Sequence, residues 1–394
     1  MITSIKHEII DESLAEDAVR WRRDLHQIPE LRFDLYRTQK YLTNLLDTWD
    51  VTYDTGYGVT GLVVTLCGTR PGKTIAFRCD MDALPMRDES GAAWASRMDG
   101  CSHACGHDGH MAVMLAAIRH LSLHPDYCGC VKVLFQPCEE TGQGAKAMMK
   151  DGLYEAHPYS ELYGFHNMPR LQDKTVQLRY GAITGGGESF SLSVHGKSGH
   201  SSVPHQCINP ISVVCEIVSG WDKITQAIQH DMAIIATCKI EGGTAVNGIP
   251  QQAFSAGTMR YFEAHIADYM KEQMHSIAEK VCRKYGATYD LLFEVLCPAT
   301  INTIDHSDVV AECARRIYGQ EHVLTDVAAS PGGEDMQFFV NDKVEGVCWF
   351  MVGTKGTNLH TATFDFDDTS LRDIASLIVN IARHRLGGKD KDRI

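Results

Sequence analysis

Apolar and polar positions alternate along the chain in two styles. Gly61–Leu66 (GLVVTL), Thr74–Arg78 (TIAFR), Val131–Gln136 (VKVLFQ) and Leu162–His166 (LYGFH) are nearly continuous apolar runs. That pattern predicts strands covered on both faces. Gly109–Leu121, rich in Ala, Met and Leu, predicts a helix between the second and third of them. Strand, helix and strand at this spacing indicate an α/β sheet with crossovers. Further on, Val347–Val352 predicts another strand. Asp368–Leu386 predicts a helix with Leu371, Ile374, Ile378 and Ile381 on one face. Thr369 or Asp368 is its expected cap and Gly387–Gly388 its stop.

The middle of the chain follows the second style. Ser189–Gly196 (SFSLSVHG) alternates strictly, with Phe190, Leu192 and Val194 on one side and serines on the other. A strand wet on one face belongs to an antiparallel sheet. Helices are expected at Pro210–Gln229 and Ile266–Tyr285, and strands at Met232–Glu241 and Gln252–Arg260. Gly185–Gly187 precedes this block and Pro298 follows it. The expected fold is therefore α/β: a discontinuous domain, 1–184 and 299–394, with a mixed sheet covered by helices, and a smaller α+β domain inserted at 185–298.

Composition narrows the function. The 394 residues carry 37 Lys and Arg against 50 Asp and Glu, a formal net charge of −13. Phosphate backbones are held mainly by clustered cations, so no nucleic-acid partner is expected. The longest clean apolar stretch, Met111–Ile118, is far short of the roughly 20 residues of a membrane span, so no membrane partner is expected either. Glu8, Asp11, Glu12, Glu16 and Asp17 do not suit a signal peptide, which makes the cytoplasm the expected location. Fourteen Cys fit a reducing compartment. Cys67, Cys215, Cys238 and Cys348 sit in apolar runs and are expected to be small buried hydrophobes.

Two glycine motifs carry no chemistry. Gly56, Gly58 and Gly61 spell GxGxxG, but a strand follows where dinucleotide binding needs a helix. Gly68–Thr74 (GTRPGKT) is one residue too short between its glycines for a phosphate loop and is expected to be a turn.

The informative residues gather at strand ends. Asp80 and Asp82 close the second strand. Cys101, His103, Cys105, His107 and His110 stand at the mouth of the Gly109 helix. Cys138, Glu139 and Glu140 follow the third strand directly. His166 ends the fourth strand, and His360 follows the Val347–Val352 strand. Ligands of open α/β sheets bind at the carboxyl ends of strands, so these segments can converge. Cys105, His107, Glu140, His166 and His360 offer five ligands of mixed S, N and O type. A single tetrahedral zinc takes at most four. Five, one of them able to bridge, suit two metals about 4 Å apart. Glu139 is then a spare carboxylate for general acid–base work.

The segments CGHDGH, QPCEE, GFHN, NGIP and LHTATFD, with RRDLHQIPEL, RCDMDALPM and GGEDMQFF, resemble the dinuclear-metal amidohydrolase branch of the aminoacylase/carboxypeptidase superfamily. That branch includes hippurate hydrolase, N-acyl-amino-acid amidohydrolases and indole-acetyl-amino-acid hydrolases. The resemblance implies a metal-dependent hydrolase of the amide bond in N-acyl amino acids, with two divalent ions, zinc or manganese first and cobalt, nickel or iron as alternatives. It implies that Cys105 bridges them as a thiolate, with His107 and His166 on one metal and Glu140 and His360 on the other. Glu139 would be the general base, and Asp80 or Asp82 the carboxylate orienting a ligating imidazole. In the inserted domain, a lid that also dimerises, His200 would stabilise the oxyanion across a homodimer. Asn247 and Arg260 would grip the substrate's amide and carboxylate. Two other outcomes stay open: the same site acting on a dipeptide, an aminobenzoyl-glutamate or an aryl amine, or a metal-binding protein without catalysis. QPCEE and LHTATFD depart from the family's usual QPAEE and LHSPxFD, which touches the segments bordering the substrate rather than the ligands.

Overall fold

Successive residues of GLVVTL bury on opposite sides of one sheet. Leu62 and Val64 join one core cluster and Val63 another, which is why the run reads as continuously apolar. The computed structural model describes residues 8–228 and 232–387. The chain forms two compact units. The larger uses the chain up to Ile183, Ile301–Ala328 and the part from Asp335 onward. The smaller uses Thr184–Thr300 and Ala329–Glu334.

The larger unit holds an eight-stranded mixed sheet. Its first five strands are β1 (Thr52–Tyr57), β2 (Gly61–Cys67), β3 (Arg70–Asp80), β4 (Cys128–Gln136) and β5 (Glu161–Met168). The order is β1-β2-β4-β3-β5, followed by Gly346–Gly353, Val176–Gln177 and Val323–Leu324. β4, β3, β5 and Gly346–Gly353 run parallel, so their carboxyl ends share one edge. The helices Glu12–His26, His107–Leu123, Ile304–Tyr318 and Leu371–Leu386 bury Trp21, Met114, Val310 and Ile378 over one face. Gly144–Lys150 and the 3₁₀ turn Asp335–Phe339 cover the other with Met148, Met336 and Phe339.

The smaller unit has four antiparallel strands, ordered Ala233–Gly242, Gln252–Tyr261, Gly186–His195, Thr288–Cys297. Phe190, Leu192 and Val194 face Trp221 and Met274 of the helices Pro210–Trp221 and Ala264–Tyr285. The serines between them are half-exposed, as the alternation required.

Several local expectations needed correction. The helix from Pro210 stops at Trp221, and only a 3₁₀ turn, Thr225–Ala227, follows; the expected end at Gln229 lies outside the described residues. Asp367, not Thr369 or Asp368, caps the last helical segment, accepting from the Thr369 amide. Gly388 also lies outside the described residues. Gly68–Thr74 is mostly strand, because β3 begins at Arg70. Gly56–Gly61 is the β1–β2 hairpin connection.

Three of the four cysteines expected to be buried are not. Cys67 pairs with Cys130 in a disulfide, a residue directly opposite it on β4, while Cys215 and Cys238 are exposed; only Cys348 is buried as expected. No helix among the described residues is long and apolar enough to cross a membrane.

Candidate metal centre

The shared edge of parallel strands gathers the candidate ligands. β3 ends at Asp80, and the chain runs on through Asp82. β4 ends at Gln136 and turns through Cys138 into Glu139 and Glu140. His166 lies near the carboxyl end of β5, and His360 lies beyond Gly346–Gly353. Cys105 and His107 arrive on the loop that opens the helix His107–Leu123. That loop turns on Gly106 at φ 94, where a Cβ would meet the Asn167 side chain at 2.5 Å. Only glycine fits there.

Two groups of ligand atoms share Cys105, each with its members within 4.8 Å of one another: Cys105, His107 and His166, and Cys105, Glu140 and His360; Asp80, His107 and His110, and His107, Glu139 and Glu140, gather as closely. The ring orientations favour a cation. His107 Nδ1 is 2.8 Å from the Asp82 backbone carbonyl, and His166 Nδ1 is 2.7 Å from the carbonyl of Asn167. Fixing Nδ1 in this way aims the other nitrogen inward. His166 Nε2 then lies 3.4 Å from Cys105 Sγ. His107 Nε2 and Glu140 Oε1 are buried without a hydrogen-bond partner among the described residues. His107 Nε2 lies between two carboxylates, 3.6 Å from Asp80 Oδ2 and 4.0 Å from Glu140 Oε1, a donor set that fits a cation. His360 is half in solvent, with Nε2 3.5 Å from Glu140 Oε2.

The electrostatics is divided: burial alone would lower His107, but Asp80 and Cys105 outweigh it and hold the imidazole well above its ordinary value, so an ion there would have to displace its proton. Burial, reinforced by the charge of His110, lowers His166 to about 3, so its lone pair is available for coordination. Burial pushes the Cys105 thiol well above its ordinary value. A thiolate there therefore needs a divalent ion beside it. The residues present fit a metal pair.

Both expected aspartates lie against His107, with Asp80 Oδ2 3.6 Å from Nε2 and Asp82 Oδ1 3.6 Å from Nδ1. The Asp82 backbone carbonyl makes the closer contact to Nδ1, and its carboxylate also accepts from the Glu139 and Glu140 amides at 3.0 and 3.2 Å. Asp80 accepts from Arg78 at 2.6 Å and lies 2.5 Å from His110 Nδ1. His110 is held at its other nitrogen by Asn167 Oδ1 at 2.8 Å, so it is a brace rather than an open ligand. Arg78, Asn167 and Asp335 were not singled out as site residues by the sequence. Their role depends on contacts between distant segments, although RCDMD, GFHN and GGEDMQFF contain all three.

The remaining expected residues lie in the smaller unit. His200 and Asn247 meet through a two-stranded pairing, His200 opposite Gly248, with the Ser201 amide donating to the Asn247 carbonyl. Both side chains are exposed, and His200 Nδ1 is engaged by Ser202 at 2.8 Å. Arg260 sits on Gln252–Tyr261 opposite Gly187, where a Cβ would strike its guanidinium at 2.5 Å.

A model of peptidase family M20/M25/M40 matches residues 76–384. The chain belongs to this family. N-acetylcysteine deacetylase of Bacillus subtilis is 31% identical over 368 residues, covering 92% of this chain and 94% of that protein. Hippurate hydrolase of Campylobacter jejuni is 29% identical, covering 95% and 97%. The crystal structure of a dinuclear metal-binding M20 peptidase from Bacillus subtilis superposes with a TM-score of 0.84 at 28% identity, covering 95% of this chain and 99% of that one.

In this M20 chain the ligand loop is anchored from behind by charge. Asp108, next to His107, lies 2.7 Å from His26 Nδ1, and His26 Nε2 lies 3.2 Å from Asp88. Burial alone would lower His26, but the Asp108 and Asp88 carboxylates outweigh it and hold the imidazole at about 9, up from 6.5. A raised folded-state pKa gives stability that is full below pH 6.5 and lost as pH rises through about 9. The Tm advantage of the protein over His26→Gln should therefore shrink between these limits. Thermal melts across that range check it, and an advantage independent of pH would contradict it.

Proposed function

We propose that the chain uses two divalent metal ions to hydrolyse the amide bond of N-acyl amino acids, giving a carboxylic acid and a free amino acid. The observation that carries this reading is the pair of ligand groups sharing Cys105, with the Glu139 carboxylate within 4.8 Å of His107 and Glu140. The deacetylase and hippurate hydrolase relatives support the substrate class. Cys105, His107 and His166 would hold one ion and Cys105, Glu140 and His360 the other. Bound there, the ions would polarise the scissile carbonyl and acidify a water. Glu139 would take a proton from the water as its oxygen bonds to the carbonyl carbon, and would deliver that proton to the departing nitrogen as the C–N bond breaks. Thiolate and imidazole donors suit zinc, and the carboxylate also admits manganese.

His200 would stabilise the oxyanion from a partner subunit in a homodimer joined through the smaller unit, which would serve as the lid. Asn247 would hold the amide. Arg260 would pair with the carboxylate, whose two oxygens match a guanidinium fork. A cytoplasmic location belongs to the same reading, supported by the twelve cysteines that stay free, with the Cys67–Cys130 disulfide standing against it.

The test is a hydrolysis screen of N-acetyl, N-benzoyl and N-indoleacetyl amino acids, with metal content measured on the same sample. Hydrolysis of at least one class is expected. Arg260→Ala should raise KM by about 10- to 100-fold, the worth of one charge-assisted contact. Activity only on substrates lacking a carboxylate, indifferent to Arg260→Ala, would replace N-acyl amino acids with another C–N substrate. A metal-loaded protein inert to the whole panel would overturn the reading.

A further inference from the structure

The GGEDMQFF segment supplies a carboxylate whose place the proposed chemistry does not use. Asp335 begins the 3₁₀ turn Asp335–Phe339 and is 1% exposed. It accepts from Arg78 Nη2 at 3.0 Å, from Gln136 Nε2 at 2.8 and 2.7 Å, and from the Ala145 amide at 3.2 Å. Gln136 and Ala145 flank the turn that carries Glu139 and Glu140. Arg78 completes the arrangement: its Nε donates to Gln136 Oε1 at 2.8 Å, its Nη1 to Asp80 at 2.6 Å, and its Nη2 lies 3.9 Å from Glu139 Oε1. A mere counter-ion for Arg78 would need neither Gln136 nor Ala145.

The turn needs such a hold. Cys138, directly before Glu139, has φ 59, a left-handed conformation that a residue with a side chain keeps only when its surroundings over-determine it. The Cys138 carbonyl accepts from the Gln143 and Gly144 amides, which closes the turn on itself. Asp82 grips its front through the Glu139 and Glu140 amides. Asp335 grips both of its ends from behind.

We propose that Asp335 is a positioning residue: with Arg78 it clamps the Gln136–Ala145 turn so that the Glu139 carboxylate is held in one place for proton transfer. This rests on the reading of Glu139 as the general base. Every partner of Asp335 named above is a hydrogen-bond donor, so Asp335→Asn must set its NH₂ against one of them while keeping the side chain's shape.

The experiment compares Asp335→Asn and Asp335→Ala with the unsubstituted protein in two ways. Hydrogen–deuterium exchange is read on the metal-free protein, and kcat, KM and metal content on the metal-loaded protein. In Asp335→Asn the peptides covering 136–145 should exchange about 10-fold faster, with Leu371–Leu386 unchanged. Misplacing a catalytic group by a fraction of an ångström costs up to about 100-fold, so kcat should fall by about 10- to 100-fold. KM should stay within about threefold, because the base acts on the chemical step alone. Unchanged exchange at 136–145 would overturn the proposal. So would exchange that rises uniformly over the chain, which marks a purely structural role; Asp335→Asn decides this even where Asp335→Ala fails to fold. Unsubstituted protein inert on every substrate would instead defeat the catalytic reading, while the exchange arm still decides whether Asp335 holds the turn.

Discussion

Glu139→Gln should bind its metals normally and hydrolyse N-acyl amino acids about 10²- to 10⁴-fold more slowly, the worth of a positioned general base. The substitution keeps the size and the backbone contacts of the residue. The amide at position 139 still donates to Asp82, so the turn and the neighbouring Glu140 stay where they are. The ability to accept and return a proton is removed, together with the charge that faces Arg78 Nη2 at 3.9 Å. Cys105, His107, His166, Glu140 and His360 already supply three ligand atoms to each ion, and Glu139→Gln keeps an amide oxygen beside His107 and Glu140, so metal content should not follow activity down. Steady-state release of the amino acid, measured beside metal content, checks this. Full activity with both ions bound would remove Glu139 from the mechanism.

The second large effect concerns Cys105. Its sulfur is common to both ligand groups, so Cys105→Ala should weaken both ions together rather than one. Loss of an outer partner of a ligand typically costs 10–100-fold in affinity, and loss of the ligand two ions share should exceed about 100-fold. Activity should fall in step and return only at high metal concentration. Competition against a chromophoric chelator measures it. Two ions bound with unchanged affinity in Cys105→Ala would show that the thiolate does not bridge.

How far the sequence revealed these features depended on where each one gets its energy. The parallel strands were readable because both faces are buried: on β3, Ile75 and Phe77 bury on one side and Ala76 on the other. Thr288–Cys297 was not, because it is an edge strand whose polar and exposed apolar residues follow no clean period. The pairing of Cys67 with Cys130 spans 63 residues and arises only because β2 returns beside β4. No spacing rule could have found it.

The candidate site divides in the same way. Cys105, His107, Glu139, Glu140 and His166 lie in short segments at strand ends, so their chemistry is visible in the local sequence. What orients them is not. The carbonyl of Asp82 that fixes His107 comes 25 residues earlier, and the carboxylate that braces Gln136 comes 199 residues later. A backbone carbonyl has no sequence signature, and a buried Asp or Arg reads in sequence like a solvated one.

The central claim is a site that works with two ions and not without them. Metal-depleted protein titrated with zinc or manganese, while hydrolysis of N-acetyl and N-benzoyl amino acids is followed, tests it most directly. The account predicts no hydrolysis without metal and a rise to a plateau at two equivalents per chain. Hydrolysis by the metal-free protein, or a plateau at one equivalent, would contradict it.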